Sequence, residues 1–152
     1  MDAALLASLV HASPAVLYSC KVSQDYGTIA VTENARRVLG YSPEDFIADP
    51  SLWAVRIHPE DSTRVFEEMP RLFRDGAQAI EYRFRRADGR YVWLRDHMTI
   101  ECDEDGRPAR ILGCWTEISG PEGKSFIAEI VGEAAPTKTA TTAGGNRYAN
   151  QT

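Results

Sequence analysis

The stretch Glu81-Tyr82-Arg83-Phe84-Arg85-Arg86-Ala87-Asp88-Gly89-Arg90-Tyr91-Val92-Trp93-Leu94 decides the fold. With Ile80 ahead of it, apolar Ile80, Tyr82 and Phe84 alternate with charged Glu81, Arg83 and Arg85. Alternation with a period of two marks a half-buried strand, because successive side chains leave opposite faces. Asp88-Gly89 is a hairpin turn, since glycine supplies the positive φ that tight turns require. Tyr91 to Cys102 reads as a long second strand, Asp105-Gly106 as another turn, and Arg110 to Ile118 as the third strand of a meander. Val92, Trp93 and Leu94 put apolar groups on both faces of the long strand. Its outer face is therefore expected to be covered by an N-terminal helix, by a second subunit, or by both.

Working upstream, His58-Pro59-Glu60-Asp61 starts a helix, with proline first and acids in the first turn. Val65, Phe66, Met69, Leu72 and Phe73 give it a stripe at helical spacing, Pro70 predicts a kink, and Gly76 an end. Ser42-Pro43-Glu44-Asp45 starts a shorter helix that Asp49-Pro50 breaks. Asn34 is expected to cap Ala35 to Leu39 with its side chain, and Gly40 to close that helix. Ala15 to Val22 and Thr28 to Thr32 read as a hairpin, with Val16, Tyr18 and Cys20 on one face. Leu5, Leu6, Leu9 and Val10 make Ala3 to Val10 a short amphipathic helix, stopped before Pro14. The order is helix, two strands, short helices, three strands. This is an α+β fold: a five-stranded antiparallel sheet with helices across one face and room for a small internal cavity.

Composition narrows the function. The chain has 152 residues, one domain's worth, with 17 basic and 22 acidic side chains and a net charge of -5. That balance argues against a nucleic-acid binder. No run of 18 apolar residues is present, so no membrane insertion is expected. The start Met1-Asp2-Ala3-Ala4 lacks the basic residues of a signal peptide. Three cysteines (Cys20, Cys102, Cys114) without a C-x-x-C point to a reducing, cytoplasmic setting. Ala134 to Thr152 is mostly small and polar, and cannot bury enough area to offset its ordering entropy. Lys124 to Val131 is a short apolar patch, read as a turn or two of helix.

Several pieces together resemble a PAS domain with its C-terminal PAC segment. They are Asn34 to Phe46, Trp53 with Ile57-His58-Pro59-Glu60-Asp61, Glu81 to Gly89 with Trp93, Asp105-Gly106-Arg107-Pro108 with Gly113, and Thr116-Glu117-Ile118-Ser119. The last stands where the family often carries D-I-T. The resemblance runs from Ser13 to Ser119, roughly 70% of the chain. It divides the sequence into an N-terminal helical cap (1–12), a PAS/PAC domain (13–119) and a linker or disordered tail (120–152). It implies a signal-sensing module, the input domain of a histidine kinase or cyclic-dinucleotide enzyme in a two-component or similar system. A homodimer, an attached or separate effector and a small-molecule ligand are the partners it implies. The alternatives are a ligand-free dimerisation module and, remotely, a small pocket enzyme.

The candidate chemistry is sparse. A cysteine–flavin adduct needs a thiol between the second and third strands, and none lies between Lys21 and Glu101. His11, His58 and His97 are the conceivable haem ligands, but His58 fits a helix cap better, and no spacing suits a metal. The cofactor stays unassigned. No G-x-S-x-G elbow or glycine-rich phosphate loop is present, so no catalytic residue is assigned and the chain is not read as an enzyme. Asp96 is the one acid set among apolar residues on a central strand, where a raised pKa would support the enzyme reading. Phe46, Trp53, Ile57, Tyr82, Phe84, Leu94 and Trp115 are the pocket candidates, competing with a plain core role. Leu5, Leu6 and Leu9 are the dimer or cap candidates. Glu117 is the candidate at the signal exit, expected to pair with Arg83 or Arg85. Gly120-Pro121 resists helix continuation, so the chain reads as a fragment of a longer protein or a free-standing domain.

Overall fold

The computed structural model describes residues 1–23 and 25–120. The apolar patch at 124–131 and the tail lie outside the described residues. Helix α1 (Ala3–Ala12) opens the chain, its first turn capped where the Asp2 carboxylate accepts from Leu5 N at 2.8 Å. Strands β1 (Val16–Cys20) and β2 (Thr28–Val31) form the hairpin. Four helices follow: α2 (Ala35–Val38), α3 (Pro43–Ala48), α4 (Leu52–Arg56) and α5 (Pro59–Asp75). Strands β3 (Ala77–Arg85), β4 (Tyr91–Cys102) and β5 (Pro108–Ile118) complete one antiparallel sheet ordered β2-β1-β5-β4-β3. The first and last strands in sequence thus pair at the centre, which closes the helical crossover on one face.

The local signals act as their chemistry dictates. Ser42 and Asp45 form a reciprocal capping box, and Pro43 sits in the first turn of α3. The His58 ring accepts from Glu60 N at 3.1 Å and caps α5. Gly76 ends α5 at a φ of 79°. The helix runs through Pro70 without a break, with Val65, Met69 and Leu72 buried against the sheet. The alternation in β3 holds: Ile80, Tyr82 and Phe84 are all buried.

Three expectations change. Asn34 makes no side-chain cap. Its amide instead donates to Ser13 O at 3.0 Å and Ala15 O at 2.6 Å, and its oxygen accepts from the Thr32 hydroxyl at 2.6 Å. The side chain fastens the root of α1 to the helical face, and the stronger demand of buried carbonyls wins over a local cap. Helix α4 is additional; five residues are too few to show a period. Finally, α1 does not cover its own sheet: none of its residues is buried.

The edge strand β3 is closed by the start of α5. Arg83 N donates to Asp61 Oδ2 at 2.9 Å, His58 N to Arg83 O at 2.8 Å, and the Arg64 guanidinium to Glu81 O at 2.7 Å. These bonds satisfy groups that would otherwise template pairing with another chain.

Candidate functional site

Asp96 lies midway along β4, facing the helices, and is 1% exposed. A buried carboxylate must find donors. The Tyr18 hydroxyl, from β1, donates to Oδ1 at 2.6 Å; the Tyr82 hydroxyl, from β3, donates to Oδ2 at 2.7 Å. Tyr82 in turn accepts from the Trp53 indole N–H of α4 at 2.8 Å. One chain of hydrogen bonds therefore ties α4, β3, β4 and β1 across the inner face.

The sheet is shaped for this contact. Gly113 of β5 pairs with Tyr18, and a Cβ at Gly113 would overlap the Tyr18 ring. The missing side chain lets that ring lie across β5 to Asp96. The ring stacks on Trp115 with centroids 4.1 Å apart. Trp115 stacks in turn on Phe46 of α3, at 5.5 Å. The Trp115 indole N–H is buried and meets no acceptor with hydrogen-bond geometry among the described residues, though it lies close enough to favour charge on Asp96.

The electrostatics follow from burial. Desolvation pushes the Asp96 carboxyl up to about 6, against the two tyrosine hydroxyls, which favour the charged form. Burial and the neighbouring Asp96 hold both tyrosines well above the usual phenol value, so both remain donors. Burial likewise pushes the Cys20 thiol up to about 12, leaving it unreactive. Among the described residues no cation pairs with Asp96.

All seven pocket candidates are buried: Phe46, Trp53, Ile57, Tyr82, Phe84, Leu94 and Trp115. Of the seven, only Trp53 and Trp115 border a small space between the sheet and the helices, which they share with Tyr18, Cys20, Tyr26, Thr28, Met69 and Met98. That space measures about 10 Å³. One water needs roughly 10–15 Å³, so the interior is filled by its own aromatic groups. Tyr18 was absent from the sequence candidates. The signal available was a tyrosine on a buried strand face, whose hydroxyl needs a partner, in a sheet whose strands carry one buried acid.

Glu117 is exposed, in an open cleft of about 470 Å³ at the end of the sheet, beside Arg37 and Arg86. Among the described residues it forms no ion pair with Arg85 or with Arg83. That guanidinium binds Asp61 at 2.8 Å and Glu60 at 3.0 Å, because α5 lies along the edge of β3 and brings its first-turn acids there. Leu5, Leu6 and Leu9 remain 51%, 50% and 54% exposed.

A family model described as the PAS fold matches residues 28–114. The chain belongs to the PAS fold family. Over 120 residues it is 28% identical to the two-component sensor PprA of Pseudomonas aeruginosa, covering 76% of this chain and 12% of that protein. The chain thus spans about an eighth of that relative's length. Among solved structures, the N-terminal domain of a diguanylate cyclase with PAS/PAC sensor from Marinobacter aquaeolei is 26% identical, with a TM-score of 0.59 over 69% of this chain and 95% of that one. A PAS domain from Colwellia psychrerythraea shares the fold at a TM-score of 0.64 and 19% identity, over 76% of this chain and 96% of that one. This PAS domain thus resembles domains of proteins described as sensors. Among its described residues no helix is long and apolar enough to cross a membrane.

Proposed function

We propose that this PAS domain is the input module of a larger cytoplasmic signalling protein, a histidine kinase or cyclic-dinucleotide enzyme, and that it works as a homodimer whose geometry carries the signal. The observation that carries the reading is an unpartnered pair of apolar faces on one chain. Helix α1 exposes Leu5, Leu6 and Leu9, and the outer side of the sheet exposes Leu17 and Leu112. The helix is held off its own sheet. The Arg37 guanidinium donates to His11 O and Ser13 O, each at 2.9 Å, and the Asn34 amide grips the same junction. A second copy offers both faces in reciprocal positions, as a two-fold interface requires. The chemical work would fall to an attached effector. The relatives' roles as a two-component sensor and a diguanylate cyclase sensor domain support this reading.

Native mass spectrometry tests it. A mass of twice 16.9 kDa is expected for the chain, and a single mass for Leu5→Glu/Leu9→Glu. A wild-type monomer overturns the dimer. The second reading is a small ligand in the core, which the space beside Met69 and Met98 favours because thioether side chains repack readily. A non-covalent added mass that is lost on denaturation would support it.

A further inference from the structure

We propose that Asp96, clasped by Tyr18 and Tyr82, is a proton-binding site through which the domain responds to mild acidification. The cluster is isolated from other charge. β1 presents Tyr18 and Cys20 to it, β3 Tyr82, β5 Trp115, and α4 Trp53. Of these only Tyr18, Cys20 and Tyr82 titrate, and burial keeps all three uncharged. Arg95 and His97 flank Asp96 along β4 but stand on the opposite, exposed face. Asp25, in the β1–β2 turn, acts on Cys20. The protonation state of Asp96 is therefore the variable of the inner face.

The two oxygens are not equivalent. Tyr82 already accepts from Trp53 and donates to Oδ2. Tyr18 has that single described bond, to Oδ1, and its lone pairs are free to accept. A proton from solvent adds to Oδ1 and turns that oxygen into a donor toward the Tyr18 oxygen. The Tyr18 O–H then has to rotate away from the carboxyl. Tyr18 also borders the small interior space of about 10 Å³. Tyr18 belongs to β1, which follows α1 in the chain.

The test is an NMR titration of the indole N–H signals of the full chain, from about pH 8 to about pH 5. Trp53 and Trp115 are expected to shift together, with a common midpoint near the value of about 6 at which Asp96 titrates. Trp93, under the Arg83 guanidinium on the outer face, serves as the control. Asp96→Asn should abolish the transition. Tyr18→Phe should move the midpoint upward, because the carboxylate loses a donor that favours its charged form. A wild type that stays flat, or a transition that persists in Asp96→Asn, overturns the site. If Asp96→Asn fails to fold, an unmoved midpoint in Tyr18→Phe overturns it alone. The site rests on the sensory reading for its use in the cell. The titration reads out in monomer or dimer, so failure of the dimer and failure of the proton site are separate results.

Discussion

Tyr18 and Asp96 stand 78 residues apart in sequence, yet the hydroxyl of one meets the carboxylate of the other at 2.6 Å. The contact crosses β5, which lies between their strands, and exists because Gly113 leaves the gap. Core polar groups are expensive unless every member is satisfied. Here both carboxylate oxygens are used, at the cost of a carboxyl whose charged form is disfavoured by burial.

That cost sets a pH dependence of unusual sign. The folded Asp96 carboxyl is raised from 3.8 to about 6, so the fold favours its protonated form. The stability it contributes is fully present below about pH 4 and is lost as pH rises to about 6. Two units correspond to roughly 3 kcal/mol. Urea denaturation of wild type and Asp96→Asn across that range should show the wild type losing stability relative to the variant as pH rises. A constant difference would assign Asp96 an ordinary carboxylate's behaviour in the fold.

Asp61 should behave oppositely. Its bonds from the Arg83 guanidinium, then the Arg83 backbone N–H, hold its carboxyl below the usual range, against burial. The stability it contributes is present above the unfolded value and lost as pH falls through the lowered one. Asp61→Ala frees the Arg83 backbone N–H on the β3 edge and leaves the guanidinium with Glu60 alone, at about 1–3 kcal/mol near neutral pH. Thermal melts at neutral pH check this. A variant as stable as wild type would show that solvent replaces the clasp without loss.

Gly113 is required for what it lacks. Gly113→Ala places a methyl where the Tyr18 ring lies, and the flanking strands leave little room to yield. The expected loss is about 1–3 kcal/mol, the usual range for overpacking. A change in the near-ultraviolet circular dichroism of the Tyr18–Trp115 stack should accompany it. If Tyr18→Phe restores neither stability nor the spectrum in the Gly113→Ala background, the ring rather than its hydroxyl is what the methyl displaces. A Gly113→Ala protein with wild-type stability and spectrum would contradict the close packing.

How far the sequence could be read depends on the range of each signal. The β3 alternation, the turns at Gly89 and Gly106 and the caps at Ser42 and His58 are local, each written within a few residues, and each stands in the structure. Asn34 and Asp96 act at a distance. Asn34 followed by a short helical segment reads as a cap, yet its partners Ser13 and Ala15 lie 21 and 19 residues back. Asp96 reads as an isolated inward acid, and only pairing of β1 beside β5 brings Tyr18 to it. The expected pairing of Glu117 with Arg83 or Arg85 fails for the same reason: the run of α5 along β3, which no periodicity encodes, gives Arg83 to Asp61.

The Asn34 amide provides the last test, because it joins the core to the helix that carries the exposed leucines. Asn34→Asp keeps size and the acceptor for Thr32 but removes both donors, leaving Ser13 O and Ala15 O facing a carboxylate. A residue 1% exposed cannot trade those bonds for water without opening the junction. The expected loss is about 2–4 kcal/mol, two buried bonds plus an added buried charge. Hydrogen exchange should quicken first at residues 13–17, where α1 meets β1. If α1 sets the dimer, the Asn34→Asp protein dissociates at higher concentration than wild type even where its sheet stays folded. Equal dimer affinity with a folded sheet would mean that the Arg37 bonds to His11 O and Ser13 O suffice to aim the helix.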